Sequence, residues 1–208
     1  MHIQKQIHNM TYYTGAHPEI RNLFRNGNRP SEFGAKVWPT SLRTIDFLAQ
    51  HESHATIFKK GCRVLEIGCG WGLIGVYLAC AHSCDVTCSD LDPLVLPVVQ
   101  LHARRNGVKV RTVQYSFKQL SESFLKQFDV IIGAEVCYSE DVANELTQLL
   151  QRAFRASVSH MIVVDPGRPD FDDFHQFCQS RFSTELFILP GSANGQHTRL
   201  LHVTPLSK

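Results

Sequence analysis

Residues 64–75 have the sequence Val64-Leu65-Glu66-Ile67-Gly68-Cys69-Gly70-Trp71-Gly72-Leu73-Ile74-Gly75, and this stretch decides the fold. An apolar, β-prone run leads into an acid and then into glycines at every second position, and a helix-like run from Leu73 to Ala81 follows. Glycine lets the backbone adopt positive φ and approach a ligand closely, and the N–H groups at the start of the next helix face that ligand. The order predicts the first βα turn of a doubly wound α/β domain that binds a nucleotide-like cofactor.

The same turn fits two classes of cofactor. Gly70, Gly72 and Gly75 have the spacing of the dinucleotide-binding pattern, and Asp90 follows about twenty residues later, where that pattern places an acid for the ribose. Asp90 ends the second predicted strand, and a carboxylate can accept two hydrogen bonds from a vicinal diol. These residues leave both an NAD-dependent dehydrogenase and an enzyme with another adenosine cofactor open.

Starting at Glu66 instead, the segment Glu66-x-Gly68-x-Gly70-x-Gly72 resembles the first motif of the class I methyltransferases that use S-adenosyl-L-methionine. In that family the acid precedes the glycines, and the loop holds the amino-acid end of the cofactor. Tyr115 and Ser116 end the third predicted strand, where the family contacts adenine, but this chain lacks the acid or tryptophan that is often found there. The resemblance implies a cofactor site made of Trp38, Glu66, Gly68, Cys69, Gly70, Gly72, Asp90, Leu91, Ser116 and Ala134.

Strands and helices alternate along the rest of the chain. Continuous apolar runs such as residues 130–132 and 161–164 indicate a central sheet covered on both faces. The sixth and seventh strands follow each other across the turn 190–195, which predicts one antiparallel strand. This agrees with the fold that the resemblance implies, an α/β, Rossmann-like, doubly wound, seven-stranded sheet with an antiparallel last strand. The predicted strands are Val64–Ile67, Asp85–Ser89, Val108–Tyr115, Phe128–Ala134, His160–Val164, Ser183–Leu189 and Thr198–Val203. The first predicted helix begins near Ser41. The other predicted helices are Leu73–Ala81, Pro93–Asn106, Ser121–Gln127, Asp141–Arg155 and Phe171–Arg181.

An acid followed three residues later by an aromatic stands where the fourth strand leaves the sheet. Glu135-Val136-Cys137-Tyr138 resembles the (Asp/Glu)-x-x-(Tyr/Phe) motif of the seven-β-strand protein-lysine methyltransferases. Trp38-Pro39, Ala134 and Asp165-Pro166-Gly167-Arg168-Pro169 also recur in that group, and the last resembles the branch that methylates the β-subunit of electron-transfer flavoprotein and its bacterial relatives. The resemblance implies that Glu135 and Tyr138 are catalytic and hold the acceptor, with Asp165 and Arg168 as further substrate residues.

The chemistry of lysine methylation fits these residue types. A lysine amine has a pKa near ~10.4 and arrives protonated, so that Glu135 can attract and aim it while Tyr138 stacks against its stem or charge. Simpler roles stay open: Glu135 as a helix cap, Tyr138 as packing, Trp38 as a staple for the first helix, and residues 165–169 as a turn. We expect a protein lysine as acceptor; a small-molecule amine, or a non-catalytic module that binds the cofactor and a partner, are the alternatives.

Composition limits the remaining possibilities. The 208 residues fit one domain, with an irregular N-terminal extension over 1–35 and a class I methyltransferase domain over 36–208. A formal charge of +2 does not suggest nucleic-acid binding, and no apolar run approaches the ~20 residues of a membrane span. Without a signal-peptide core after Met1, we expect a cytoplasmic protein. The seven cysteines form no paired Cys-x-x-Cys signature, so we expect no metal.

Overall fold

The computed structural model describes residues 2–25, 29–31, 34–51, 56–190 and 197–206. A two-stranded hairpin and a short helix precede a seven-stranded sheet with helices on both faces. The strands are β1 Gln4–Ile7, β2 Met10–Tyr13, β3 Arg63–Ile67, β4 Asp85–Asp90, β5 Arg111–Gln114, β6 Val130–Ala134, β7 His160–Asp165, β8 Ser183–Leu189 and β9 Thr198–Thr204. The helices are α1 Pro18–Leu23, α2 Pro39–Gln50, α3 Leu73–His82, α4 Leu96–Arg105, α5 Glu122–Leu125, α6 Glu140–Arg155 and α7 Pro169–Gln179, with a 3₁₀ turn at Phe117–Gln119.

The large sheet has the strand order β5-β4-β3-β6-β7-β9-β8. Strands β3 to β7 are parallel, whereas β9 is antiparallel to both of its neighbours. The predicted fold class is therefore confirmed, including the hairpin, whose register runs from Ser183 opposite Thr204 to Leu189 opposite Thr198. Residues 191–195 of the predicted turn lie outside the described residues.

The central strands are buried on both faces, as their continuous apolar sequences predict. Residues 130–132 and 161–164 are at most 1% exposed, and their side chains divide between two hydrophobic cores, one on each side of the sheet. This burial fixes the register of the parallel strands. Their carboxyl ends therefore meet along one edge, where the glycine turn and the ends of β4, β6 and β7 lie together.

Part of the N-terminal segment is regular, contrary to expectation. Residues 4–13 form the β1–β2 hairpin, and Met10 and Ile20 are almost completely buried against the domain. Asn106 fixes the hairpin by accepting the backbone N–H of Thr11 (2.8 Å) and donating to its carbonyl (2.7 Å). The polar sequence of the exposed β1 has no hydrophobic periodicity, so the strand depends on tertiary contacts that a local pattern does not contain. A domain boundary near residue 35 stays a prediction.

Several element ends also differ from expectation. Helix α2 begins at Pro39, so Thr40 and Ser41 lie inside it, and its cap residue Trp38 makes no side-chain capping hydrogen bond. Helix α4 begins at Leu96 rather than Pro93, because the N–H groups of Val95 and Leu96 donate to carbonyls three residues back, which makes this stretch a tight turn before the α-helix. The third strand of the sheet, β5, is only four residues long.

Strand β8 forms an edge of the sheet. Its outer residues Leu186 and Ile188 are 40% and 60% exposed, while Leu189 is buried. No helix within the described ranges is long and apolar enough to cross a membrane.

Candidate active site

The glycine turn between β3 and α3 has the left-handed backbone that its sequence predicts. Gly68, Gly70 and Gly72 have φ values of +54°, +50° and +68°. An L-residue is strained in this region, because its Cβ approaches its own carbonyl oxygen. The turn is closed by the N–H of Gly72, which donates to the carbonyl of Cys69 at 2.8 Å.

The three glycines meet different surroundings. A Cβ atom built on Gly72 would lie 2.7 Å from Cγ1 of Val99 in α4, and one on Gly68 would lie 2.7 Å from Cγ1 of Val136. A Cβ on Gly70 would meet no atom within 4 Å. Gly72 therefore allows two helices to approach, whereas Gly70 keeps space open beside the turn.

Glu66 lies beneath the turn and is only 3% exposed. Its Oε2 atom accepts hydrogen bonds from the N–H of Gly75 at 2.9 Å and from Sγ of Cys88 at 3.2 Å. Burial raises the pKa of the Glu66 carboxyl to about 7. Glu66 thus holds the start of α3 against β4 and does not line the cavity described below.

Asp90, at the end of β4, joins the turn to the next loop. Its Oδ2 accepts the N–H of Gly70 at 2.8 Å, and its Oδ1 accepts the N–H of Asp92 at 2.9 Å. Burial raises the pKa of this carboxyl above its ordinary value. Each oxygen retains a second lone pair, so the carboxylate can still accept two hydroxyl groups from a ligand.

A cavity of about 520 Å³ lies at the carboxyl ends of β3, β4 and β6. The predicted site residues that line it are Trp38, Gly68, Cys69, Gly70, Asp90, Leu91, Ser116, Ala134, Glu135, Tyr138 and Arg168. Three predicted site residues, Glu66, Gly72 and Asp165, lie outside the lining. The cavity therefore connects the cofactor turn with the proposed acceptor residues.

Other lining residues were not among the predicted site residues. Gly34, Lys36 and Val37 come from the segment before α2, and Val142 and Glu145 come from α6. The indole Nε1 of Trp71 donates to the carbonyl of Gly34 at 2.9 Å, which fixes this segment against the turn. The three-residue spacing of Val142 and Glu145 in the predicted helix is a sequence signal that could have identified the α6 wall.

The adenine region departs from simple expectation. Leu91 is 64% exposed and Tyr115 is 36% exposed. The backbone N–H of Ser116 donates to Oε1 of Gln119 at 2.8 Å, as part of a capping box on the 3₁₀ turn. Because this donor is already used, contacts from Ser116 to a ligand would have to come from its other atoms.

Glu135 leaves β6 with an unusual backbone. Its φ is +59°, and its N–H donates to the carbonyl of Val164 at 2.7 Å. Positive φ is rare for a residue with a side chain, and such positions are enriched at functional sites. The cap of α6 is Ser139, which accepts the N–H of Val142, so the alternative that Glu135 caps this helix is wrong.

Arg168 lies between two carboxylates. Its Nη2 donates to Oε2 of Glu135 at 2.8 Å, and its Nη1 donates to Oδ2 of Asp165 at 3.0 Å. Asp165 has no exposed side-chain surface, and its Oδ1 accepts the N–H groups of Gly167 and Arg168, both at 2.8 Å. Any effect of Asp165 on a substrate in this arrangement passes through Arg168.

Tyr138 stands at the mouth of the cavity and is 43% exposed. Partial burial raises the pKa of its hydroxyl, so the phenol is neutral at physiological pH. Within the described parts of the chain, no three histidine, cysteine, aspartate or glutamate side chains are grouped as a metal ion would require.

Comparison with known proteins identifies the family of this chain. A family model described as lysine methyltransferase matches residues 21–178, well over half of the chain. The electron transfer flavoprotein beta subunit lysine methyltransferase of Mus musculus is 28% identical over 162 residues, which cover 76% of this chain and 59% of that protein. EEF1A lysine methyltransferase 3 of Mus musculus is 32% identical over 109 residues, which cover 51% of this chain and 44% of that protein.

Solved structures share the fold. The tRNA (uracil-54, C5)-methyltransferase of Pyrococcus abyssi, in complex with S-adenosyl-L-homocysteine, has a TM-score of 0.63 at 16% identity, covering 97% of this chain and 44% of that chain. Similarity at this level of identity shows the fold and not the substrate. The chain spans about half to three-fifths of the length of the electron transfer flavoprotein beta subunit lysine methyltransferases that it matches.

Proposed function

Because this chain belongs to the lysine methyltransferase family, we propose that it transfers a methyl group from S-adenosyl-L-methionine to the side-chain amine of a lysine in a protein. One observation carries the proposal: the glycine turn with Asp90 and the acceptor candidates Glu135 and Tyr138 line the same cavity. A cofactor held by the turn and an amine held by Glu135 would therefore share one cavity, as a direct transfer requires.

The residues of the turn suit an adenosine cofactor. Asp90 can accept both ribose hydroxyls on the lone pairs that Gly70 and Asp92 leave unused. The open space beside Gly70 allows a ligand to approach the backbone. When bound, S-adenosyl-L-methionine supplies a methyl group on a positively charged sulfur. Trp38, Cys69, Leu91 and Ala134 would form the apolar walls around it.

The acceptor residues bind and orient the amine. The Glu135 carboxylate attracts a lysine ammonium into the cavity, and the ring of Tyr138 can contact the lysine stem or its charge. No histidine lines the cavity among the described residues, so we assign no dedicated general base. The amine loses its proton to solvent before transfer, which burial beside a positive sulfur favours.

The glycine turn alone does not distinguish the dinucleotide alternative. Gly75, the last glycine of that pattern, donates its N–H to buried Glu66 and packs against β4, which is the role that the pattern gives this glycine. Family membership favours S-adenosyl-L-methionine over NAD. A small-molecule amine and a non-catalytic role are alternatives that the experiment below distinguishes. A cytoplasmic location and the absence of nucleic-acid and membrane partners stay predictions.

The test measures methyl transfer from radiolabelled S-adenosyl-L-methionine. The acceptors are those that the relatives' names suggest, the β-subunit of electron transfer flavoprotein and EEF1A, together with cell lysate and n-butylamine. We expect label on a protein lysine, located by mass spectrometry, and no label with Glu135→Gln. Glu140→Gln, an exposed acid at the start of α6, is the matched control and should keep activity.

Label on n-butylamine alone would favour the small-molecule alternative. Tight cofactor binding with no transfer to any acceptor would favour the non-catalytic module. Calorimetry with S-adenosylhomocysteine and NAD on the same preparations identifies the cofactor class independently of the acceptor.

A further inference from the structure

The guanidinium of Arg168 is held in place by Asp165. Asp165 binds Nη1 of Arg168 at 3.0 Å and is itself fixed by two backbone N–H groups. Asp165 is inaccessible, while the side chains of Glu135 and Arg168 are 10% and 29% exposed. Arg168 is therefore a rigid cation whose second side faces Glu135, at 2.8 Å, on the wall of the cavity.

This arrangement changes how Glu135 acts on an amine. A carboxylate beside an ammonium stabilises its charged form and so raises the amine pKa. Transfer, however, needs the neutral amine, because only its lone pair is nucleophilic. An isolated Glu135 would bind lysine well but would also hold it in the unreactive protonated form.

We propose that Arg168 is a permanent counter-ion of Glu135 and acts as a positioning residue in the methyl transfer. It orients the carboxylate through Oε2, and the second oxygen can accept a hydrogen bond from the acceptor amine. Its positive charge offsets much of the field with which Glu135 would keep that amine protonated. The inference rests on the proposed function and adds a role for Arg168 to it.

The other charged and titratable groups around the cavity do not replace this cation. They are Lys36, Cys69, Asp90, Asp92, Tyr115, Tyr138 and Glu145. Lys36 lies over the ring of Trp38, with its Nζ atom 4.2 Å from the ring centroid, and Glu145 pairs with Lys118 at 2.9 Å. Arg168 is the cation that the described residues place in contact with Glu135.

The first experiment measures methyl transfer across a pH range of roughly 6.5–10, around the lysine pKa. For Arg168→Gln we expect kcat at pH 7 to fall about tenfold, KM for the acceptor to stay equal or fall, and the pH profile to move up by about one unit, which restores the rate near pH 9. Arg168→Lys keeps the charge and should keep the wild-type profile. Arg155→Gln removes the same charge from a pair with Glu122 at the far end of α6 and is the matched control.

A second measurement does not depend on turnover. Binding of n-butylamine at pH 7 to each variant saturated with S-adenosylhomocysteine is followed by NMR titration. We expect Arg168→Gln to bind the ammonium about tenfold more tightly than the wild type, and Glu135→Gln to bind it more weakly. Saturation with S-adenosylhomocysteine also confirms that each variant has folded.

The outcomes separate the two proposals. If the wild type transfers no methyl group but Arg168→Gln binds n-butylamine more tightly than the wild type, the proposed function is refuted and the counter-ion role is retained. Equal, weaker or absent n-butylamine binding by Arg168→Gln would overturn the counter-ion. A loss of kcat in Arg168→Gln that is uniform across pH would also overturn the counter-ion, because it indicates structural support alone. A gain of kcat at pH 7 would overturn it too, because it indicates that Arg168 obstructs the site.

Discussion

The Nδ1 atom of His102 lies 3.0 Å from the carbonyl oxygen of Trp71, the residue between the second and third glycines of the turn. The Nε2 atom of the same ring accepts the backbone N–H of Tyr13 at 3.1 Å. Because Nε2 is an acceptor, the proton must be on Nδ1, and the ring is neutral. One buried histidine therefore connects the N-terminal hairpin to the back of the cofactor turn.

Acidification should weaken this connection. Burial lowers the pKa of His102 from 6.5 to about 4, so the unfolded chain takes up a proton at a higher pH than the folded one. The stability that His102 contributes is complete above pH 6.5 and is lost as pH falls towards 4, by about 3 kcal/mol. Urea unfolding of His102→Gln across this window should show a smaller loss than the wild type; an identical slope would contradict the assignment.

Glu66 should have the opposite pH dependence. Its carboxyl pKa is raised from 4.5 to about 7 by burial, so the folded state keeps a proton that the unfolded chain releases. Stability from this group is complete below pH 4.5 and falls by about 3 kcal/mol as pH rises to 7. Glu66→Gln should therefore gain stability over the wild type at pH 8 but not at pH 4.5, measured by urea unfolding.

The two groups act in overlapping windows with opposite signs. Between pH 4.5 and 6.5 the contributions of these two groups should therefore nearly cancel. His102→Gln and Glu66→Gln should change the slope of the stability profile in opposite directions from the wild type, and changes of the same sign would show that one of the two assignments is wrong.

Two alanine substitutions in the turn should have different effects. Gly72→Ala brings a Cβ within 2.7 Å of Val99 at φ +68°, so we expect a loss of about 2 kcal/mol of stability. Gly70→Ala meets no protein atom at φ +50°, so it should cost about 1 kcal/mol while its methyl group obstructs the cofactor. Thermal unfolding and calorimetric titration with S-adenosylhomocysteine measure both; equal affinity losses would place both glycines against the cofactor.

Asp90 should affect cofactor affinity directly. Asp90→Ala removes two acceptors for hydroxyl groups and the anchor of the Gly70 N–H, so we expect binding to weaken by ~1–3 kcal/mol. Asp85→Asn, at the exposed start of the same strand, is the control and should bind normally. Unchanged affinity in Asp90→Ala would remove this residue from the cofactor site.

Tyr138 tests whether the ring or the hydroxyl matters. Tyr138→Phe keeps the aromatic face and should stay within a few-fold of wild-type kcat/KM, whereas Tyr138→Ala should raise KM for the acceptor about tenfold, as the loss of a cation–π contact predicts. Cofactor affinity should not change in either variant. If the phenylalanine variant were as impaired as the alanine variant, the hydroxyl rather than the ring would be the group in use.

The sequence predicted those parts of the fold that local pattern determines. The β3-turn-α3 unit, the buried parallel strands and the final hairpin follow from periodicity and glycine spacing. The β1–β2 hairpin does not follow from local pattern, because it is held by Asn106, which lies 95 residues after Thr11. At the site, Gly70, Asp90, Glu135 and Tyr138 line one cavity, whereas the binding and catalytic roles assigned to them stay predictions.

The side-chain contacts within the site could not be predicted from the sequence. Glu66 and Gly72 fit the motif, yet both make packing contacts at the turn: Glu66 accepts the N–H of Gly75, and Gly72 lies against Val99. The bridge from Arg168 to Glu135 joins side chains 33 residues apart. Motif spacing indicates which residues approach the cavity, but the direction of each side chain depends on neighbours in other elements.

The position of β9 between β7 and β8 constrains how the protein forms during translation. Residues 183–189 leave the ribosome before residues 198–204, so β8 emerges with its hydrogen-bonding partner still unsynthesised. In that interval Leu186 and Ile188 stand on a strand with no neighbour on either side, a state prone to association with other chains. The strand of this sheet that is made last thus completes it from the inside, and slow synthesis over residues 190–204 would prolong the exposure of β8.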